Sequence, residues 1–420
     1  MRLRSLLVTA AILTALPARA QEPPARTADD PYAQMETLIR VMELVRQNYV
    51  DGSRTSYDRL VAAALRGMLA ELDPHSQYIT PELNEQLQQA AGSAEGAGFT
   101  FAPRGGTIVV VTVREDGPAA RAGLMPGDQI LKAGDLHTAA VSFLESVCAL
   151  SGKPGESLRL TTWRPATQET REVEILRETQ RQETIRDAML LDPSLTGESK
   201  IGYVRLLQFT ATTATELADA LDRLEEQGLT ALVLDLRNNP GGLLTGTVEA
   251  CGEFLPPGTV VVTTEGRDAA KNPPPLKTPA RQRRARTYPV AVLVNHASAS
   301  GAELMAAALQ DLGRAVIVGT TTFGKGSVQS IIPGDGRAAI RLTTAHYYSP
   351  KHRTIHEKGV TPDIVAPLTY EEEAKLMDYL RKAPETAADP VRLSRLADRQ
   401  LERAVMALKG VLVYRAMQKK

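Results

Sequence analysis

Residues 289–329 read PVAVLVNHASASGAELMAAALQDLGRAVIVGTTTFGKGSVQ, and their hydrophobic pattern predicts the fold of this 420-residue chain. An apolar run at 290–294 leads through a turn of small residues into a helical pattern at 302–312, and a second apolar run follows at 315–319. Apolar strands separated by helices indicate a sheet that is covered on both faces. The stretch therefore predicts an α/β core.

The same alternation continues towards the N-terminus. Strand patterns at 201–206 and 230–236 enclose a helical pattern at 214–227, and a further strand is predicted at 260–264. We therefore assign residues 179–367 to one α/β core.

The segments around this core have different patterns. Residues 21–91 are predicted to be a helical segment, because apolar residues recur there at helical spacing after a polar start. Residues 92–178 combine turn glycines with the β-branched run at 108–113, which predicts a strand-rich domain inserted before the core. Residues 368–420 contain a charged helical pattern and are predicted to form a C-terminal helical segment.

The first residues have the features of a secretory signal peptide. Two arginines precede an apolar run at 6–16, and Ala18-Arg19-Ala20 offers small residues for cleavage, so we predict a signal peptide over 1–20. A membrane anchor would need about 20 apolar residues, and Pro17 interrupts the run. We expect an exported, periplasmic protein whose mature chain has no transmembrane segment.

The composition excludes some partners. Basic and acidic residues number 49 each, so the chain lacks the excess positive charge that attracts nucleic acid or an anionic membrane. Its two cysteines, Cys148 and Cys251, lie far apart in apolar surroundings and are expected to be buried structural thiols. Because exported proteins can form disulfides, a bond between these two cysteines is the alternative.

Ser300 lies where the predicted turn enters the helix. A serine at this position can serve simply as the helix N-cap. The same position also places backbone N–H groups and the positive end of the helix dipole where an acyl oxyanion could form. A serine hydroxyl becomes an effective nucleophile only when a base takes its proton.

Lys325 is the candidate for that base. His296 is too close in sequence to reach back easily, and the histidines of the 346–356 segment have no evident orienting carboxylate. A lysine can act as a base if burial lowers its pKa. Lys325 follows an apolar strand between two glycines, and Gln329 lies four residues on, able to hydrogen-bond the amine. A surface lysine in a glycine-rich turn is the alternative.

Several motifs occur in a familiar order. They are LDPHSQYITPE at 72–82, GPAARAGLMPGDQILKAGD at 117–135, LVLDLRNNPGG at 232–242, SASGAEL at 298–304 and YYSPKHRTIHEKGVTPDI at 347–364. The second motif resembles a PDZ domain. Together with residues 289–329, they make nearly all of the chain after residue 20 resemble the carboxy-terminal processing, or tail-specific, serine peptidases. The resemblance implies a crotonase-like (Clp-type) α/β peptidase core with an inserted β-rich PDZ domain and flanking helical segments.

The resemblance also implies roles for individual residues. The implied nucleophile is Ser300, the base Lys325 and the supporting side chain Gln329, with no metal or other cofactor. The other residues it implies are Gly241, Gly242 and Gly301 for the oxyanion hole, Asp311 as a supporting acid, and Gly96, Ala97, Gly98 and Phe99 for peptide binding in the PDZ domain.

The chain departs from the family pattern beside the nucleophile. The family usually reads Gly-Ser-Ala-Ser-Ala-Ser-Glu, whereas Gly301 and Ala302 here precede Glu303. Gly301 could loosen the oxyanion amide and lower activity, and an alignment error would make Ser298 the nucleophile.

The expected substrates are polypeptides with free or unstructured C-termini, bound by strand addition to the PDZ domain. The inserted domain is predicted to gate the peptidase, with a rigid tether as the alternative. Two other functions stay open: a non-catalytic PDZ scaffold, and a crotonase-type acyl-CoA enzyme, which export would separate from its cofactor. An adaptor protein and a homo-oligomer formed through the terminal helices are also left open.

Overall fold

The computed structural model describes residues 30–90, 94–179, 183–280, 285–381 and 398–418. The predicted signal peptide lies outside these residues. The chain divides into two units, the first ending at Ala64 and the second beginning at Leu65. The helices of the described residues are α1 (Pro31–Asn48), α2 (Tyr57–Ala70), α3 (Pro81–Ala90), α4 (Pro118–Arg121), α5 (Phe143–Leu150), α6 (Pro193–Thr196), α7 (Thr213–Glu226), α8 (Leu244–Cys251), α9 (Gly301–Asp311), α10 (Tyr370–Arg381) and α11 (Arg399–Gln418).

The strands follow the same chain order. They are β1 (Gln77–Ile79), β2 (Phe99–Arg104), β3 (Thr107–Val113), β4 (Gln129–Ala133), β5 (Leu136–His137), β6 (Ser157–Arg164), β7 (Glu169–Leu176), β8 (Ile185–Leu190), β9 (Ile201–Leu206), β10 (Ala231–Asp235), β11 (Val260–Gly266), β12 (Leu276–Lys277), β13 (Val290–Val294), β14 (Ala315–Gly319), β15 (Ser327–Pro333), β16 (Ala339–Tyr348) and β17 (Ile364–Val365).

The first unit contains α1 and the start of α2. Asp30 caps α1 by accepting a hydrogen bond from the Tyr32 N–H at 3.0 Å, and Pro31 begins the helix, a position where its missing N–H costs nothing. None of the residues of α1 is buried.

The central sheet of the second unit has the strand order β17-β14-β13-β10-β9-β8. Its strands are parallel except β8, which is antiparallel to β9. Alternate residues along each strand point to opposite faces. Leu232 and Val292 pack on one face with α7, α8 and α9, whereas Val233 and Ala291 pack on the other with α11. The structure thus has the predicted α/β sheet covered on both faces.

Two further sheets complete the second unit. The inserted domain has the order β2-β3-β4-β6-β7, with β5 beside β4, around its own apolar core. Its helix α5 starts with a capping box, in which Ser142 and Glu145 each bond the other's backbone N–H. The third sheet has the order β1-β16-β11-β12, with β15 also paired to β16. Its strand β15 begins at Ser327, two residues after Lys325.

Both cysteines are free thiols. Cys251 is fully buried, and burial raises the pKa of its thiol to about 12. Cys148 is only partly buried, so the prediction of two buried thiols is wrong for this residue because α5 leaves one side of it open to solvent. In the part of the chain that the structure describes, no helix is long and apolar enough to cross a membrane.

Candidate active site

Ser300 has a backbone conformation that an ordinary N-cap does not need. Its φ of 52° and ψ of −114° contrast with the extended conformation usual at an N-cap. A positive φ is costly for a residue with a side chain and persists where the surroundings impose it, frequently at active sites. The helix α9 begins immediately afterwards, at Gly301.

Ser298 has a different environment. It is fully buried, and its hydroxyl donates to the Leu236 carbonyl at 2.8 Å while accepting from the Asn295 N–H at 3.0 Å. These bonds tie the turn to the end of β10. A substrate could reach this hydroxyl only by breaking into the core, so the geometry favours Ser300 over Ser298.

Glu303 holds the turn of Ser300 against the loop of Lys325. Its carboxylate oxygen Oε2 accepts from the Ser300 N–H at 2.8 Å and from the Lys325 N–H at 2.9 Å. The two amide nitrogens can therefore be no farther apart than the sum of these distances. The other oxygen, Oε1, accepts from the Gly324 N–H at 2.7 Å and from the Thr322 hydroxyl.

Glu303 is completely buried, and this desolvation raises the pKa of its carboxyl although its hydrogen bonds act in the opposite direction. The sequence carries one signal at this position, a Glu three residues after a Ser at a helix start, and that pattern is typical of a capping box. It does not predict the contact with the loop of Lys325.

Lys325 combines solvent exposure with a lowered pKa. The residue is exposed, yet desolvation by the surrounding protein lowers the pKa of its amine. The positive charge of Arg341 lowers this pKa further, whereas Glu303 opposes the shift. A residue in a cleft fits both observations, because solvent reaches one side of it while protein surrounds the others. The shift increases the neutral fraction of the amine, which is the form that can accept a proton.

Gln329 lies on β15, two residues after Ser327. Its amide nitrogen donates to the Ser327 hydroxyl at 2.8 Å and more weakly to the Thr343 hydroxyl at 3.4 Å. Among the described residues no hydrogen bond joins Gln329 to the Lys325 amine. The expected contact is therefore not formed here, since neighbouring hydroxyls on the sheet take the amide protons.

The structure brings together three histidines that the sequence did not predict to be neighbours: His75, His346 and His356. His75 and His356 have ring centres 6.3 Å apart, and His346 lies 4.6 Å from His356. Burial is the main cause that lowers the pKa of His75, and the nearby Lys325 contributes. His296, by contrast, is substantially exposed, with its Nδ1 3.5 Å from the Glu373 carboxylate.

Gly241 and Gly242 pass directly beside the nucleophile turn. Both have positive φ angles, 94° and 141°. A Cβ at Gly241 would lie 2.6 Å from the Gly301 nitrogen and 2.8 Å from the Ser300 Cβ, so only glycine fits. The Gly241 N–H donates to Asn239 Oδ1 at 2.8 Å. Within the described residues the N–H groups of Gly242 and Gly301 have no hydrogen-bond partner, which leaves these two free to receive an oxyanion.

Gly301 is closely packed despite departing from the family pattern. A Cβ there would lie 2.5 Å from the Thr247 hydroxyl and 3.2 Å from the Phe209 ring. Neighbouring side chains therefore occupy the space that alanine would fill. This packing opposes the loosening of the amide expected from the sequence.

Asp311 lies at the far end of α9, about 16 Å from Ser300 at 1.5 Å per residue. It forms an ion pair with Arg353 and accepts from the Lys351 N–H at 2.9 Å. Its contacts thus orient a loop and not the reacting groups.

The predicted peptide-binding residues lie at the start of the inserted domain. The Gly96 carbonyl accepts from the Glu178 N–H at 2.9 Å, and Ala97 is buried in the domain core. Gly98 and Phe99 line a cavity of about 360 Å³ that is bounded on its other side by core residues. The latter pair is therefore placed to meet a ligand between the two domains.

The inserted domain also packs beside the two candidate catalytic residues. Ala102 on β2 and Val111 on β3 form a buried apolar cluster with Ala299, next to Ser300, and with Phe323, two residues before Lys325. The Arg104 guanidinium lies 5.1 Å from the centre of the Phe323 ring. A movement of this domain would therefore disturb both loops.

Comparison with known proteins identifies relatives of the two domains. The sequence model of peptidase family S41 matches residues 200–366, and that of a PDZ domain matches residues 96–175. A carboxy-terminal-processing protease of Bartonella bacilliformis is 35% identical over 83% of this chain and 78% of its own. The carboxy-terminal processing protease CtpA of Bacillus subtilis is 32% identical over 85% of this chain and 72% of its own.

A similar solved structure is that of the photosystem II D1 C-terminal processing protease. It is 26% identical, with a TM-score of 0.64, and the match covers 85% of this chain and 99% of that one.

Proposed function

Because this chain belongs to the carboxy-terminal processing proteases of peptidase family S41, we propose that it is an exported serine endopeptidase that cleaves unfolded or C-terminally tailed polypeptides through Ser300 and Lys325. The observation that carries this proposal is the Glu303 carboxylate, which bonds the backbone of both residues through one oxygen.

The proposed reaction divides peptide hydrolysis into two steps. The Ser300 hydroxyl attacks the peptide carbonyl while the neutral Lys325 amine accepts its proton, and the resulting ammonium then protonates the leaving amine. The free N–H groups of Gly242 and Gly301 would stabilise the oxyanion. Water, deprotonated by the same amine, then attacks the acyl-enzyme and releases Ser300.

Export rests on the sequence of residues 1–20 alone. The proposed substrate class rests on the PDZ domain, which suits an extended polypeptide terminus. Neither step of the reaction uses a metal or an organic cofactor.

Cleavage of one protein in two states tests this substrate class. A reduced and carboxymethylated test protein, which cannot refold, is expected to be fragmented, whereas its native disulfide-bonded form should stay intact because its chain cannot enter the cleft extended. Gel electrophoresis and mass spectrometry measure the fragments. Binding of the unfolded protein without fragments would favour the non-catalytic scaffold, and equal cleavage of both forms would contradict the proposed selectivity.

We further propose that the PDZ domain gates the peptidase, because Ala102 and Val111 bury the residues beside Ser300 and Lys325. A tail that binds the domain can shift its position only if it prefers one arrangement over the other. A rigid tether would instead raise the local substrate concentration without altering the site.

A short peptide added in trans distinguishes gating from tethering. With an internally quenched reporter that carries a C-terminal amide, a separate peptide with a free C-terminus is expected to increase reporter turnover several-fold if it opens the gate. The same peptide with an amidated terminus is the control. An unchanged or reduced rate would contradict gating and support a tether.

A further inference from the structure

The cavity between the PDZ domain and the core contains an incompletely satisfied ion pair. Arg205 on β9 is bonded to Glu115, which follows β3, and the two residues are 1% and 4% exposed. Within the described residues Arg205 Nε and Nη1 and Glu115 Oε2 are buried without a hydrogen-bond partner. Buried charged groups normally have their donors and acceptors satisfied, so this pair is poised to exchange partners.

A second arginine lies beside Arg205 in this cavity. Arg186 on β8 lies directly opposite it in the antiparallel register, and both arginines line the same cavity. Like charges in this arrangement repel each other. Arg186 already contacts Asp116 and Glu183, which leaves Glu115 as the direct partner of Arg205 among the described residues.

Part of the cavity lining is apolar. Phe99 and Phe101 of β2 face Phe143 and Val147 of α5, and the ring centres of Phe101 and Phe143 are 5.9 Å apart. A space of about 360 Å³ lies within the range typical of ligand sites. An occupant with an apolar side chain and an anionic group would match the aromatic residues and the unsatisfied donors of Arg205.

We propose that Arg205 of the peptidase core receives the C-terminal carboxylate of a bound polypeptide, displacing Glu115, while the last side chain, which is apolar, enters the pocket lined by Phe101, Phe143 and Val147. This inference rests on the proposed function, because it assigns the carboxylate of the same substrates to a residue outside the PDZ domain. No covalent step is involved. The displaced Glu115 carboxylate stays in the cavity, whose lining also contains Arg186.

The exchange would also release a bond between the two domains. Glu115 belongs to the PDZ domain and Arg205 to the sheet of the core. The next residue, Leu206, accepts through its carbonyl from Asn239 Nδ2 at 2.9 Å, and the Asn239 carbonyl accepts from the Ala299 N–H at 2.9 Å. Two hydrogen bonds thus connect the residue after Arg205 with Ala299, which precedes Ser300. A carboxylate that binds Arg205 can influence the nucleophile turn through them.

Binding of a matched pair of peptides tests the proposal. The probe is a fluorescein-labelled decapeptide ending in Ala-Ala-Leu, made as the free acid and as the amide, and the protein is the full mature chain with Ser300→Ala to prevent cleavage. Fluorescence anisotropy measures the dissociation constants. We expect the acid to bind about tenfold more tightly, as for a charge-assisted hydrogen bond.

Three substitutions in this background separate Arg205 from other carboxylate receptors. E115Q removes the competing charge. It should lower the dissociation constant of the free-acid peptide by about threefold or more and leave that of the amidated peptide unchanged. The double variant E115Q/R205Q removes both charges of the pair and should abolish the preference for the acid. R114Q is the matched control, because Arg114 lines the same cavity but is paired with Asp116, and it should retain the preference.

The proposal is overturned if the parent binds acid and amide equally, or if the double variant keeps the preference, as it would if backbone N–H groups of residues 96–99 held the carboxylate. Should the double variant not fold, E115Q decides alone, and weaker binding of the acid then rejects the proposal. Because the assay needs no catalysis, its outcome does not depend on the Ser-Lys mechanism. Cleavage of an amidated reporter by the chain with Ser300 tests that mechanism separately.

Discussion

Ser300→Ala is expected to reduce cleavage of an unfolded protein by about 10⁴-fold or more, the usual effect of removing a nucleophile that acts together with its base. The substitution leaves the turn intact, because the Ser300 N–H that bonds Glu303 belongs to the backbone. The thermal midpoint should therefore stay close to that of the parent. Initial rates with a quenched peptide reporter, measured beside the thermal midpoint, check both parts.

Ser298→Ala is the matched control two residues away. It removes the hydroxyl that bonds the Leu236 carbonyl and the Asn295 N–H, which should lower the free energy of unfolding by about 1–3 kcal/mol. We expect a lower thermal midpoint with most of the activity retained. Activity that survived in Ser300→Ala and vanished in a folded Ser298→Ala variant would identify the other serine as the nucleophile.

The sequence was sufficient to predict four strands of the central sheet, β9, β10, β13 and β14, and the two loops that carry Ser300 and Lys325. Continuous apolar runs identified β10, β13 and β14, because buried parallel strands need apolar residues on both faces. The third sheet was not predicted, and the strand predicted at 260–264 as part of the α/β alternation belongs to this sheet as β11. Its pairs join distant segments, such as Gln77 with Arg341, and neither periodicity nor turn residues encode such a partner.

The role of Glu303 escaped prediction for the same physical reason. Its hydrogen bonds to Gly324 and Lys325 span more than twenty residues, whereas the local pattern described only a helix start. The environment of Lys325 shows the same limit: a lowered pKa was expected from burial, but the nearby Arg341 charge that adds to it comes from another sheet strand. Fold follows largely from local patterns here, while the site depends on how the loops meet.

Lys325→Arg is expected to be as inactive as Lys325→Ala, although arginine keeps the positive charge. The proposed base must be neutral, and a guanidinium stays protonated throughout the accessible pH range. An exposed lysine of the same region, Lys358, provides the control, and Lys358→Arg should leave the rate unchanged. Activity in Lys325→Arg near that of the parent would contradict the role of Lys325 as a base.

The dependence of the rate on pH also tests whether Lys325 acts as the base. Since the neutral amine is the active form, kcat/KM of the free enzyme should rise with pH through the pKa of Lys325, which desolvation and Arg341 place below the ordinary lysine value.

Arg341→Gln removes a positive charge that disfavours the ammonium, so the pKa of Lys325 should increase and the rise in kcat/KM should move to higher pH. His356→Gln serves as the comparison: burial lowers the pKa of this histidine, and the rise should keep its midpoint in this variant if Lys325 is the group that titrates. A base formed by His356 would instead make His356→Gln inactive and leave the midpoint of the rise insensitive to Lys325. Progress curves with the quenched reporter between pH 5 and pH 10 distinguish these outcomes, and an unchanged midpoint in Arg341→Gln would show that Lys325 is not the group that titrates.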